Sequence, residues 1–331
     1  MKSPNFDVLD RQLVQALRLD GRMPFSRIAE VLGVSDQTIS RRYTRLRVEG
    51  HLRVIASTDP AFLGDVLWLV RAQCKPDGAQ KLGQALALRD DTSWVTLSSG
   101  GTEISCSTWA PASLVHEPSL LLAQLPRTPG VVGMTAHCIM HTFYGGSRGP
   151  MLKSGSLTPE QVAALRPGPS FEPGPETGER APVALDDGDR RMLAVLGRDG
   201  RAELAELAAA TGWSQSTVRR RLAQLWASGA AYLDVEYDYR IYNLLARVQL
   251  WASVDPAELD SAGLALAEHP EVAYACATTG VTNLHAALVC RDLHSLYTYL
   301  TTQVAALGVR QVETSPTMRT LKGPATVRAP R

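Results

Sequence analysis

Asp20-Gly21-Arg22 opens a run that continues through Gly33-x-Ser35-x-x-Thr38-x-x-Arg41-Arg42-x-x-x-Leu46-x-x-x-Gly50, and the chain writes it twice. Asp199-Gly200-Arg201, Gly212-x-Ser214-x-x-Thr217-x-x-Arg220-Arg221, Leu225 and Gly229 follow at an offset of 179 residues (199 minus 20), without a gap. Asp10-Arg11 maps to Asp189-Arg190 and Ala29 to Ala208 at the same offset. A period this long exceeds any solenoid unit, so it marks a duplicated module, in effect a fused pair.

Within the first copy, Leu9, Leu13, Ala16 and Leu17 share one face of a helix that ends near Asp20-Gly21. Phe25, Ile28, Ala29 and Leu32 make the apolar stripe of a second helix, which Gly33 stops. Ser35 then caps a third helix, Asp36 to Val48, with Ile39, Tyr43 and Leu46 turned inward and Gly50 as terminator. The second copy repeats the pattern with Met192, Leu193 and Leu196, then Leu204, Leu207 and Ala208, then Ser214 ahead of Val218, Leu222 and Leu225. Two helices joined by a tight Gly turn, the second with an Arg-rich outer face, form a helix-turn-helix signature.

After each copy the period changes. The first half predicts a strand over 66–70, a helix over 78–88, a hairpin of 94–98 with 104–109 about Gly100-Gly101, a helix over 113–125 and a strand over 131–143. The second half predicts a strand over 246–252, a helix over 256–267, a hairpin of 273–278 with 284–290 about Gly280, a helix over 293–307 and a strand from 309 to about 321. The order β-α-β-β-α-β is the ferredoxin-like split motif. Aligning Gly100 with Gly280 moves the offset to 180, one residue having been added between head and hairpin. The stretch from Gly145 to about Val183 is dense in Pro and Gly and reads as a linker, with Thr158 placed to cap a short helix over 159–165. The fold class is therefore α+β. Five domains are expected: a winged-helix-like head at 6–58, a ferredoxin-like αβ-sandwich at 64–145, the linker at 146–183, a second head at 184–237 and a second sandwich at 244–323.

A net charge of +1 over 331 residues excludes a bulk polycation, so any nucleic-acid surface is a local patch. Cys74, Cys106, Cys138, Cys276 and Cys290 are scattered without metal-ligand spacing and read as reduced, mostly buried thiols, which favours a cytoplasmic location. The chain starts in polar sequence without a signal-peptide pattern, and no apolar run reaches the length of a membrane span. His137 and His141 stand four apart on a predicted strand, without metal geometry or an acidic partner nearby. No phosphate-binding Gly loop is present, and no catalytic residue, metal or cofactor is expected.

The chemistry lies on the third helix of each head. Ser35, Gln37, Thr38, Ser40 and Arg41 sit at or near its N-terminus, the part that reaches base edges in the major groove of double-stranded DNA. Arg42, Arg45 and Arg47 lie where phosphates would be met. The second head offers Ser214, Gln215, Ser216, Thr217, Arg219 and Arg220, with Arg221 for phosphate; Arg45 and Arg47 become Gln224 and Trp226 there. This substitution predicts two different half-sites, or one dominant head with more phosphate contacts. A solvated Arg-rich face is the plainer reading of either helix alone; its recurrence in register behind Gly-x-Ser favours DNA.

Together these residues, with Leu9-Asp10, Ile28-Ala29, Leu207-Ala208, Thr279-Gly280 and Arg291-Asp292-Leu293, resemble the Lrp/AsnC family of prokaryotic transcription regulators, in a form with two units fused. The resemblance implies a sensor domain that dimerises through its sheet and binds an amino-acid-like effector near the hairpin turn. An acidic residue three after the turn Gly suits the effector's ammonium. The corresponding positions are Ser99, Gly100 and Glu103 in the first half and Thr279, Gly280 and Asn283 in the second, with Ser98 and Thr278 alongside. Plain turn residues without a ligand are the alternative reading. The resemblance also implies a homo-oligomer, a dimer or tetramer of chains in which a linker reaching about 30–37 Å lets both sensor domains pair within one chain. The sirohaem decarboxylases share this two-part architecture and give the alternative, enzymatic reading. Their His-Asn-Tyr-x-Arg type signature is replaced here by Val272-Ala273-Tyr274-Ala275-Cys276 and Ser93-Trp94-Val95-Thr96-Leu97.

Overall fold

The computed structural model describes residues 6–111, 120–146, 155–166 and 183–324. They divide into two compact units, and each unit takes one share from each half of the chain. The described residues of the first unit are 6–59, 155–166 and 183–243; those of the second are 60–111, 120–146 and 244–324.

The first unit holds both heads. Head one is α1 (Val8–Leu19), α2 (Phe25–Leu32) and α3 (Asp36–Val48), followed by β1 (Leu52–Thr58). Asp7 and Asp10 form a capping box at the start of α1, and Gly33, left-handed at φ 67°, ends α2 and makes the tight turn. Head two repeats this with α7 (Asp187–Leu196), α8 (Leu204–Thr211) and α9 (Gln215–Ser228), then β6 (Ala231–Tyr237). Gly212 takes the place of Gly33 at φ 78°.

The two heads are stitched by a two-stranded antiparallel ribbon of β1 and β6, in which Ile55 pairs with Asp234, its own repeat mate 179 residues on. A pseudo-two-fold therefore passes through that pair. Around it Arg22 donates to the Gly200 and Ala202 carbonyls at 2.9 and 2.8 Å, and its mate Arg201 donates to those of Gly21 and Met23 at 2.6 and 3.1 Å. The Arg201 guanidinium also lies over the Phe25 ring at 4.4 Å. Repeat-related arginines thus satisfy repeat-related carbonyls, which explains why Asp-Gly-Arg recurs: Asp20 and Asp199 hold the turn by accepting from the Arg22 and Arg201 amides. A Cβ on Gly200 would strike the Ile55 backbone.

The stretch expected to be a linker with a short helix over 159–165 carries that helix, and it is packed. Thr158 caps α6 (Pro159–Leu165) with a full capping box, and Leu157 and Leu165 enter the core of head one beside Leu13, Leu17 and Ile28. Gln15 accepts from the Leu157 amide at 2.7 Å, and Arg27 donates to the Ala164 carbonyl at 2.8 Å. So short a helix is held because Leu165, with Val162 and the preceding Leu157, joins the larger apolar cluster of head one. Ile241, from beyond head two, closes the same core.

The second unit contains β2 (Asp65–Cys74), α4 (Pro76–Ala87), β3 (Thr92–Ser98), β4 (Glu103–Pro111), α5 (Leu120–Gln124) and β5 (Val131–Tyr144). Its other half is β7 (Ala246–Ser253), α10 (Leu259–Glu268), β8 (Val272–Thr278), β9 (Leu284–Cys290), α11 (Leu293–Tyr299) and β10 (Gln311–Thr320). Each half has the expected β-α-β-β-α-β order. Residues 113–119 of the helix expected over 113–125 lie outside the described residues. The helix expected over 293–307 is α-helical only to Tyr299 and continues as a π turn and a 3-10 turn.

The halves do more than face each other. Their sheet edges join, β5 to β8 and β10 to β3, so the order β10-β3-β4-β2-β5-β8-β9-β7 closes into an eight-stranded barrel. Closure leaves this eight-stranded sheet without a free edge. One face of each sheet packs on its helices: Val70, Ala72, Ile104 and Cys106 in the first half, Val248, Leu250, Ala286 and Leu288 in the second. The five cysteines are free thiols, four of them buried and Cys138 half-buried. Among the described residues no helix is long and apolar enough to cross a membrane, and no group of His, Cys, Asp and Glu is placed to hold a metal.

Candidate nucleic-acid interface and effector turns

In both heads the serine and threonine of the recognition-helix start are occupied as caps. Ser35 Oγ accepts from the Thr38 amide at 3.2 Å and sits 2.8 Å from Thr38 Oγ1; Ser214 accepts from the Thr217 amide at 3.2 Å. Ser216 is drawn into the second cap, 2.9 Å from Ser214 Oγ. These residues fix the helix start and leave Gln37, Ser40, Arg41, Gln215, Arg219 and Arg220 to present side chains outward.

The arginines of the two recognition helices divide sharply. Asp10, 1% exposed at the foot of α1, takes Arg42 at 2.9 Å and Arg45 at 2.7 Å, and Asp7 takes Arg42 again at 2.7 Å. Burial works against the Arg42 guanidinium, but its bonds to Asp7 and Asp10 outweigh that and hold its pKa above the usual arginine value. Arg47 bridges to Asp199 of the other head at 2.8 Å. In head two, fully buried Asp189 takes Arg221 through Nε and Nη2 at 2.7 and 2.6 Å, in the bidentate geometry that suits a carboxylate. Burial raises the Asp189 carboxyl, yet the hydrogen bond from Arg221 and the capping amide carry it below its usual value. Arg42, Arg45, Arg47 and Arg221, expected at phosphates, are engaged by carboxylates in this structure: they tie the recognition helices to α1, to α7 and to the neighbouring head. Arg41, Arg219 and Arg220 are exposed, with no partner among the described residues. Asp10 and Asp189 were missed as functional partners, although their recurrence in register with Arg42 and Arg221 carried the signal.

At the first-half hairpin, Ser99, Gly100 and Gly101 all have positive φ, 52°, 71° and 84°. The turn closes with Thr102 Oγ1 donating to the Ser99 carbonyl at 2.8 Å. Glu103 is not an open carboxylate. It is 5% exposed and accepts from Arg71 at 2.9 Å, while Arg71 also reaches Glu313 at 2.5 Å. Burial opposes the Arg71 charge, but the two carboxylates push its pKa well above the ordinary arginine value. The guanidinium lies 5.0 Å from the ring centroid of Trp251, which stands at the same place in β7 as Arg71 in β2. Sequence reading missed Arg71, Glu313 and Trp251 because the repeat does not preserve them.

At the second-half hairpin the expected residues serve the barrel. Asn283 spans the Val254 main chain, accepting from its amide and donating to its carbonyl, both at 2.9 Å. Thr279 accepts from the Cys138 amide at 2.9 Å, and its carbonyl lies 2.7 Å from His137 Nδ1. Gly280, at φ 106°, leaves no room for a Cβ against the His137 ring. The two turns occupy corresponding places in the two halves, but Glu103 and Asn283 have different work. His137 packs on Trp251, and Trp251 on the buried His285, whose imidazole burial pushes down to about 3.

The AsnC-type helix-turn-helix domain description matches residues 6–47 and 185–225, and the Lrp/AsnC ligand binding domain description matches 247–327. An HTH-type transcriptional regulator of Pyrococcus abyssi is 30% identical over 140 residues, covering 40% of this chain and 85% of that one. The chain belongs to the Lrp/AsnC family. LrpA of Mycobacterium tuberculosis, another regulator, is 37% identical over 98 residues, 28% of this chain and 63% of its own. This Lrp/AsnC protein is a transcription regulator carrying a ligand-binding domain, with its helix-turn-helix doubled. The first sensor half, 64–145, lies outside these family matches and is tied to the second by its topology. Over the whole length the chain resembles a solved structure of the sirohaem decarboxylase NirDL, with a TM-score of 0.60, covering 96% of this chain and 93% of that one at 13% identity. At that identity the likeness is one of fold alone.

Proposed function

We propose that this chain is a cytoplasmic, sequence-specific regulator whose two heads bind double-stranded DNA and whose barrel answers to an amino-acid-like effector, without catalytic activity. The observation that carries the DNA reading is the division among the arginines. The fold commits four of them to its own carboxylates yet leaves Arg41, Arg219 and Arg220 without a partner among the described residues, on the faces that helix-turn-helix proteins turn to the major groove. Gel-shift titration of the full chain on genomic fragments enriched by it, at two salt concentrations, tests this; equal binding to every fragment refutes sequence specificity.

The effector reading is supported by charge. Beside the first turn two carboxylates, Glu103 and Glu313, face a single guanidinium, so one negative charge is left over for an ammonium group. Thermal-shift titration with the twenty amino acids, on wild type and Glu313→Gln, is the check: no shift from any of them removes the effector class. The enzymatic reading, favoured only by the NirDL fold likeness, predicts a visible absorption change on titrating sirohaem, followed by carbon dioxide release. The regulator reading predicts neither. Assembly as a dimer or tetramer of chains remains part of the proposal and is read by light scattering at micromolar concentration.

A further inference from the structure

Two heads on one pseudo-two-fold scaffold present unlike surfaces to DNA. The scaffold is symmetric: the ribbon pairs Ile55 with Asp234, and Arg22 and Arg201 exchange carbonyl contacts across it. In ordinary two-fold readers identical helices meet identical half-sites, so the operator is a palindrome. Here the mates differ at the positions that look outward. Asp36, Gln37, Ser40, Arg41 and Thr44 of α3 correspond to Gln215, Ser216, Arg219, Arg220 and Ala223 of α9.

From sequence alone head one seems the more basic, because Arg45 and Arg47 have no counterparts in head two. The structure reverses this. Arg45 is held by buried Asp10 and Arg47 by Asp199, so neither adds free positive charge to the DNA face. What remains on the outward positions of α3 is Arg41 offset by Asp36. On α9 it is Arg219 and Arg220 with no acid among the five, since Gln215 replaces Asp36. Arginine is the side chain that reads guanine, through a bidentate contact to O6 and N7, and glutamine reads adenine through N6 and N7.

Resting on the DNA-binding reading above, we infer that the operator is not palindromic: the half-site under α9 is the guanine-richer one and supplies the larger share of discrimination and of salt dependence. The half-site under α3 is read by Gln37, Ser40 and Arg41. Because the ribbon and the exchanged arginines join the heads into one compact unit, the two half-sites keep a fixed order and spacing.

The test is selection from a random duplex library with the full chain, beside Arg41→Ala, Arg219→Ala and Ser40→Arg. All three positions lie on the outer side of their helices, and a thermal melt confirms each variant folded. Wild type is expected to enrich a non-palindromic motif. Arg219→Ala should flatten the guanine-rich half and weaken the best duplex roughly tenfold or more, whereas Arg41→Ala flattens the other half. Ser40→Arg places an arginine where Arg219 stands and should draw the first half-site toward the second. A palindromic wild-type motif, or Arg41→Ala and Arg219→Ala altering the same half, overturns the inference while leaving DNA binding intact. No enrichment of any sequence defeats the DNA-binding reading beneath it.

Discussion

Arg42→Ala and Arg221→Ala are the same substitution at repeat-related positions, yet they should not cost the same. Removing Arg221 strips buried Asp189 of its one bidentate partner. Its remaining bonds come from the Asp186 amide, and the residue corresponding to Arg45 is Gln224. An uncompensated buried carboxylate costs about 3–5 kcal/mol. Because the Arg221 side chain is itself 26% exposed, about 2–4 kcal/mol is the expected range. Arg42→Ala leaves Asp10 held by Arg45 through both oxygens at 2.7 Å, so the loss should be about 1 kcal/mol. The assay is urea unfolding at neutral pH followed by circular dichroism, read at the transition of the helical unit. Lowering pH adds a signature. Asp189 has a folded pKa below its unfolded value, so its stabilisation is present above the unfolded pKa near 3.8 and is lost as pH falls through the folded value. The gap between wild type and Arg221→Ala should narrow below about pH 4. Equal costs for both variants refute the reasoning. So does an Arg42→Ala protein of unchanged stability whose DNA binding loses about one unit of salt slope, since that would make Arg42 a phosphate contact.

Three further outcomes follow from particular contacts. Leu165→Ala should destabilise the helical unit by about 2–4 kcal/mol, because its fully buried side chain fills the core of head one; a change under about 0.5 kcal/mol in urea unfolding would return α6 to the status of a linker. Glu103→Ala should destabilise the barrel without any ligand present, by about 1–3 kcal/mol, since Arg71 keeps only half-exposed Glu313; calorimetry of the unliganded variant is the measure, and an unchanged melting temperature would mean the ion pair contributes nothing. His285 is held neutral by burial, its pKa pushed down to about 3 from 6.5, so the unfolded chain binds the extra proton. That contribution is whole above pH 6.5, is lost as pH falls toward 3 and amounts to about 5 kcal/mol at most; His285→Phe should flatten the acid limb of barrel stability, and an unaltered limb argues against it.

The heads were legible in the sequence because their signals are local. Gly33 and Gly212 end helices in left-handed geometry, Ser35 and Ser214 begin them, and apolar residues at helical spacing fill the space between. The β-α-β-β-α-β order was legible for the same reason. What escaped depends on partners far apart in the chain. Nothing in the alternation of β5 or β8 says that Ile139 will pair with Thr278, so the expected pairing of the two sheets did not include the joining of their edges. The arginine roles escaped because an outward-facing position on a helix says where a side chain starts and not which carboxylate it meets. Asp10 lies 32 residues before Arg42, and Glu313 lies 242 after Arg71.

Duplication within one chain accounts for both the parts that repeat and the parts that do not. Residues that build the scaffold recur: Gly21 with Gly200, Arg22 with Arg201, Asp10 with Asp189. Arg22 and Arg201 each meet the other head's turn across the pseudo-two-fold, and Asp10 and Asp189 each hold the recognition helix of their own head, so each copy still needs its own contact. Repeat-related positions that face each other within one unit are under the opposite condition. In a dimer of identical subunits Arg71 would face a second Arg71; here the facing residue is Trp251, which receives the guanidinium on its ring while Glu103 and Glu313 take its charge. The like-charge contact is removed, and the first sheet becomes complementary to the second rather than to itself. In the helical unit the facing pair, Ile55 and Asp234, has diverged as well. Fusion fixes which half meets which, and that lets recognition helices on a symmetric scaffold diverge in the bases they read.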